Sequence, residues 1–166
     1  MVDGGNSLER WCFMEAAPEM VKPFASVYLA DEAATETLAR ILIPQLKMGD
    51  AVLLQGDLGA GKTSLARALI RGFCGPETEV PSPTFTLMQL YDAPRFTIAH
   101  FDLYRLSEPE DIIELGWHSA REGLVLVEWP ERLGILRPLQ ALTISLGFEG
   151  AGRRAQFFGS KYVVQL

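Results

Sequence analysis

The chain has 166 residues, 48% hydrophobic and 22% charged, with 15 Lys and Arg against 21 Asp and Glu. That length and apolar content suit one globular domain and exclude wholesale disorder. A net charge of −6 argues against a dominant basic surface for nucleic acid, and no apolar run is long enough to span a bilayer.

Residues 1–24 mix Gly, Asn, Pro and acids without periodicity, and are expected to form a loosely ordered extension. They carry Asp3, Glu9 and Glu15 and lack a basic segment followed by an apolar stretch, so no secretory signal is expected. Residues 25–166 are expected to form a single domain. SVYLA (26–30) is a short β-rich run, and Asp31 then stands where a helix N-cap belongs. The following segment places Ala34, Leu38, Ile41 and Leu42 on one helical face until Pro44 kinks or ends it. Gly49-Asp50 turns the chain into AVLLQ (51–55), a continuous apolar run of the buried-strand type. A glycine-rich loop leads into a helix over 63–73, with Leu65, Leu69 and Phe73 on one face.

Residues 75–83 read as an exposed loop. TFTLMQLY (84–91) and FTIAHFDLY (96–104) predict two strands joined as a hairpin by DAPR. A helix is expected over 108–116, capped by Ser107, with Glu108, Glu110 and Asp111 in its first turn. GLVLVEW (123–129) is a second buried strand, and 141–148 with 153–166 predict a closing hairpin around EGAG. No internal repeat is present. The pattern predicts an α/β sandwich with parallel central strands and antiparallel additions.

Chemistry concentrates in four places. GDLGAGKT (56–63) matches G-x-x-x-x-G-K-[ST] in full, between an apolar strand and an amphipathic helix. Gly56, Gly59 and Gly61 let amide groups face phosphate oxygens, Lys62 supplies a mobile positive charge, and the Thr63 hydroxyl can ligate Mg²⁺. Glu128 ends a hydrophobic strand, the usual place for an acid beside the metal or the attacking water of a P-loop. Trp129, next to it, is either core or a mobile site wall. In IAHFDLYR (98–105), alternation puts His100, Asp102 and Tyr104 on one face. Asp102 there either ties down a strand or serves by orienting water, reaching Mg²⁺ through water or accepting a proton; His100 reads as structural. In PSPTFT (81–86), Ser82, Thr84 and Thr86 offer hydroxyls; composition favours a rigid turn, with a Thr84 switch as the alternative. Cys12 and Cys74 lack CxxC spacing and read as unpaired thiols of a reducing cytoplasm, and two histidines are too few for a histidine-built metal site.

GDLGAGKT, SPTFTL, HFDLYRL and LVEWPERLG, in this order over roughly 26–158, resemble the TsaE (YjeE) family. The resemblance implies a P-loop NTPase core in a three-layer sandwich and a cytoplasmic Mg²⁺-dependent ATPase, weak alone. It further implies work with TsaB and TsaD in making threonylcarbamoyladenosine beside the tRNA anticodon, with tRNA met only through that complex. Carried over by motif, Gly56, Asp57, Leu58, Gly59, Ala60, Gly61, Lys62, Thr63 and Ser64 bind ATP. Thr63 and Glu128 hold Mg²⁺, and Asp102, Glu128 and Lys62 are catalytic. Glu32, Thr35 and Arg153 fall where the family meets nucleotide. The competing reading is a P-loop small-molecule kinase, against which the segment CGPETEVPSP, free of Arg and Lys, offers no cationic lid. A GTPase would need an [NT]-K-x-D guanine reader, and the chain has none.

Overall fold

A computed structural model describes residues 22–159. Seven strands form one sheet: β1 (Ala25–Leu29), β2 (Ala51–Gln55), β3 (Met88–Asp92), β4 (Thr97–Asp102), β5 (Leu124–Glu128), β6 (Leu142–Glu149) and β7 (Gly152–Phe158). Their order is β1-β7-β6-β2-β5-β4-β3. The four central strands run parallel, β2 pairing with β5 and β6, and β4 with β5. β1–β7, β6–β7 and β3–β4 are antiparallel. The central strands are apolar on both faces because both faces are covered.

On one face, α1 (Glu32–Leu42) and α2 (Lys62–Cys74) pack through Leu38, Leu42, Leu65 and Leu69 onto Val52, Leu54, Leu126 and Ile144. On the other, α3 (Asp111–Glu114), α4 (Trp117–Ala120) and a 3₁₀ turn over Pro130–Leu136 cover Leu53, Phe101, Val125 and Val127 with Ile112, Trp117 and Leu133. This is the α/β three-layer arrangement the sequence predicts. Asp31 caps α1 as expected, accepting from the Ala34 amide at 2.9 Å, a contact worth about 1 kcal/mol. Pro44 ends α1 in a single 3₁₀ turn, Ile43–Gln45. Arg67 and Arg71 on α2 donate to the carbonyls of Val80 and Thr78, both at 3.1 Å, and pin the loop that follows the helix.

Two local expectations need correction. Of the helix expected over 108–116 only α3, Asp111–Glu114, forms; Gly116, in the left-handed region at φ 85°, separates it from α4, which lies beyond the expected range. Ser107 does not cap α3; the Asp111 carboxylate instead accepts from the Glu108 amide at 3.2 Å and closes the preceding turn. The strand expected from residue 84 begins only at Met88. Leu87 takes φ 63° and breaks the extended run, its amide donating to Pro83 O at 2.7 Å. Residues 1–21 of the expected extension and 160–166 of the last expected strand, with Cys12, lie outside the described residues.

Candidate active site

The glycine-rich loop runs from the end of β2 to the start of α2. Gly56 tolerates no side chain, since a Cβ there would lie 2.2 Å from the Leu146 carbonyl oxygen of β6. The loop is therefore threaded closely against the β6 backbone. Gly61 occupies the N-cap of α2 at φ 103° and offers no capping side chain. The first-turn amides of a thirteen-residue helix are left facing the loop, where backbone and dipole both favour an anion.

Lys62 is almost entirely buried, and its ammonium folds back on the loop. Nζ donates to the carbonyls of Gly56 at 2.6 Å and Asp57 at 2.9 Å, and lies 4.0 Å from the centre of the Trp129 ring. Burial pulls the ammonium below the ordinary lysine value of 10.5. The carboxylates of Glu128, Glu131, Asp102 and Asp57 partly oppose that shift. Trp129 holds a left-handed backbone at φ 59° and ψ 50°, uncommon for a bulky residue, and its ring also meets Tyr104 with centroids 5.0 Å apart.

The parallel register of β4 on β5 sets Asp102 directly beside Glu128. Both carboxylates are buried, and both oxygens of each make a hydrogen bond. Glu128 Oε2 accepts from the Thr63 hydroxyl at 2.9 Å, and its Oε1 lies 2.9 Å from His100 Nε2. Asp102 Oδ2 accepts from the Thr84 hydroxyl at 2.8 Å and more weakly from Ser82 at 3.5 Å, while Oδ1 accepts from the Tyr104 amide at 3.1 Å. Ser82 and Thr84 are themselves linked at 2.7 Å. Thr86 is exposed and stands outside this network.

Two cavities share the wall made by Gly59, Gly61 and Ser64. One, of about 230 Å³, gathers Lys62, Thr63, Ser82, Thr84, Asp102, Tyr104, Glu128 and Trp129. The other, of about 310 Å³, gathers Asp31, Glu32, Thr35, Leu146 and Arg153. Arg153 spans its rim, donating to Gly59 O at 3.3 Å and lying 4.4 Å above the Phe148 ring. The arrangement has room for a phosphate chain on one side of the loop and a nucleoside on the other. A larger cleft of about 440 Å³ between α1 and α2 adjoins the second cavity through Glu32, Thr35 and Ser64, but Lys62, Thr63 and both carboxylates lie elsewhere.

Among the described residues no cluster of three or more His, Cys, Asp or Glu side chains is arranged to hold a metal. What the chain offers is a hydroxyl and a carboxylate in mutual contact, Thr63 and Glu128. That hard, sparse oxygen set fits Mg²⁺, which keeps several waters and takes phosphate oxygens besides one or two protein ligands. All the site residues expected from the sequence fall in or beside the two cavities, Leu58 at the exposed loop tip and Ala60 buried beneath it. The contact of His100 with Glu128 was missed, although its i, i+2 relation to Asp102 on one strand face was a usable sign. Tyr104, expected on that same strand face, instead follows the strand end and packs on Trp129.

The family model described as "Threonylcarbamoyl adenosine biosynthesis protein TsaE" matches residues 29–155, from the end of β1 into β7. The chain belongs to the TsaE family. Among curated relatives carrying the name "tRNA threonylcarbamoyladenosine biosynthesis protein TsaE", the one from Nostoc sp. is 36% identical over 140 residues. That alignment covers 81% of this chain and 85% of the relative. The one from Rickettsia conorii is 54% identical over 104 residues, 62% of this chain. The match spans 59% of the length of the R. conorii relative, and 61% for that from Rickettsia felis. A crystal structure of Bacillus subtilis YdiB superposes with a TM-score of 0.68 at 27% identity, covering 84% of this chain and 87% of that one. Every TsaE-type site residue named above, from Glu32 to Arg153, lies inside the matched span. No helix among the described residues is long and apolar enough to cross a membrane.

Proposed function

We propose that this chain binds and hydrolyses Mg²⁺·ATP in the cytoplasm, in support of threonylcarbamoyladenosine formation in tRNA. It acts on a complex of TsaB and TsaD and meets tRNA only through them. The observation that carries this reading is the register that sets Asp102 beside Glu128, facing Thr63 and Lys62 in one cavity on the phosphate-loop wall.

The loop amides and Lys62 hold the β- and γ-phosphates, and the nucleoside lies toward Glu32, Thr35 and Arg153. Thr63 and Glu128 hold Mg²⁺, which when bound neutralises charge on the phosphate oxygens. Lys62 exchanges its two carbonyl partners for phosphate oxygens, an exchange its partial desolvation favours. Asp102 keeps its Tyr104 amide contact and uses a remaining lone pair to orient a water toward the γ-phosphate, taking its proton or directing it. The Thr84 hydroxyl, already on Asp102, ties the 81–87 segment to that event.

Two measurements test the reading. ATP turnover is assayed alone and with TsaB and TsaD added, and threonylcarbamoyladenosine in tRNA is quantified by nucleoside mass spectrometry after depletion of the protein in its host. Turnover raised by the partners, together with loss of the modified nucleoside, is expected. Absence of ATP binding, or unchanged modification on depletion, refutes it.

A further inference from the structure

His100 stands near the centre of β4, fully buried, in register with Gln89 of β3 and Leu126 of β5. The apolar core on its face of the sheet includes Ile98, Leu124 and Leu126. A leucine would suit that apolar lining. The imidazole instead leaves Nδ1 buried with no partner among the described residues, a condition that calls for a reason. Its Nε2 lies 2.9 Å from Glu128 Oε1. A carboxylate only accepts, so in this contact Nε2 is the donor.

We propose that His100 is a positioning residue for Glu128: its Nε2–H holds Oε1 back in the core so that Oε2 is presented to Thr63 and the cavity. This rests on the reading of Glu128 as a Mg²⁺ ligand. Glu128 has several rotatable bonds at a strand end, and the Lys62 ammonium feels its charge more than that of Glu131, Asp102 or Asp57. A carboxylate free to swing would pair with that ammonium and take both groups out of use. In the structure it does not. Lys62 bonds to Gly56 and Asp57 carbonyls, while Glu128 is held between His100 and Thr63. The imidazole itself never reaches the ligand and works through the carboxylate, as the outer partners of metal ligands do.

The test uses His100→Leu, which removes the donor, and His100→Gln, which returns an N–H close to the Nε2 position. Mn²⁺ binding to the complex with a non-hydrolysable ATP analogue is followed by electron paramagnetic resonance. Nucleotide affinity without metal and melting temperature are measured alongside. His100→Leu is expected to weaken Mn²⁺ binding about 10- to 100-fold, with metal-free nucleotide affinity unchanged and His100→Gln recovering most of the loss. In the wild-type protein, ¹⁵N resonances of the imidazole should show Nε2 protonated, a measurement that needs no variant to fold. A lowered melting temperature with wild-type Mn²⁺ binding in His100→Leu, or an Nε2 without hydrogen, overturns the inference and leaves the ATPase reading standing. If the wild-type protein shows no nucleotide-linked Mn²⁺ binding, the metal-ligand reading of Glu128 falls and the inference with it.

Discussion

Replacing Asp102 by Asn separates a catalytic carboxylate from one that ties down a loop. The substitution keeps size and one carbonyl oxygen, so the Tyr104 amide at 3.1 Å retains its acceptor. On the other side, the new amide N–H₂ faces the Thr84 hydroxyl at 2.8 Å, which can turn to accept. What is lost is the difference between charged and neutral hydrogen bonds, about 1 kcal/mol for each strong contact. With two such contacts, the cost is about 1–2 kcal/mol, and the melting temperature should fall by about 2–8 °C for a chain of this size. If Asp102 orients or deprotonates the attacking water, turnover per folded molecule should fall about 10²- to 10⁴-fold. Nucleotide affinity should hold, because no phosphate contact is removed. The assay is single-turnover ATP hydrolysis with partner proteins present, normalised to folded protein by the melting curve, beside equilibrium nucleotide binding. A drop in stability with unchanged turnover per folded molecule refutes the catalytic argument and leaves Asp102 as an anchor for the 81–87 segment.

Lys62→Met should abolish nucleotide binding, measured by calorimetry, without lowering the melting temperature, since burial already disfavours the charged ammonium. Because the folded state holds this lysine below its unfolded value of 10.5, the unfolded chain binds more protons between the two values, so its contribution to stability rises with pH there. Nucleotide affinity should fall as pH rises through the lowered pKa, earlier than an ordinary lysine would permit; a flat affinity up to 10.5 contradicts this. Thr63→Ala should leave metal-free nucleotide affinity near wild type and weaken the Mg²⁺ dependence of hydrolysis about 10- to 100-fold, read from Mg²⁺ titrations of rate. Gly56→Ala should destabilise the protein by about 1–3 kcal/mol in chemical denaturation and impair nucleotide binding, because its Cβ meets the Leu146 carbonyl at 2.2 Å; normal stability would show the loop free to shift.

The parallel core was legible because burial on both faces leaves an unmistakable trace. AVLLQ and LVLVE are apolar at consecutive positions, which a strand with one wet face does not sustain. The phosphate loop was legible for a similar reason, since its backbone geometry admits few residues at Gly56 and Gly61. The misread segments fail where one residue's conformation overrides a pattern. Leu87 lies inside a run that reads as a strand yet sits at φ 63°, and nothing in TFTLMQLY announces it. A cap at Ser107 and acids in the first turn argued for a helix from 108, but helix forms only over Asp111–Glu114, and Gly116 at φ 85° precedes α4, which sets Trp117 against the Phe101 ring.

The site was legible residue by residue but not as an arrangement, and the cause is register. Asp102 and Glu128 are 26 positions apart, and each alone is an acid at a strand end. They become one site because β4 and β5 run parallel with Phe101 opposite Val127, so the next pair brings the two carboxylates together. A slip of one residue would turn one of them to the α3–α4 face. Two like charges at adjacent positions are mutually unfavourable, and the fold offsets this by giving each its own donors. Thr84 and the Tyr104 amide serve Asp102; Thr63 and His100 serve Glu128. Lys62 sits near both carboxylates, yet its ammonium bonds to the Gly56 and Asp57 carbonyls, weaker partners that an incoming anion can displace. The donors come from α2, from the loop before β3, from β4 and from the turn that follows it, elements whose proximity depends on strand order. That order, with β2 between β6 and β5, is a property of the packed sheet and has no local sequence signature.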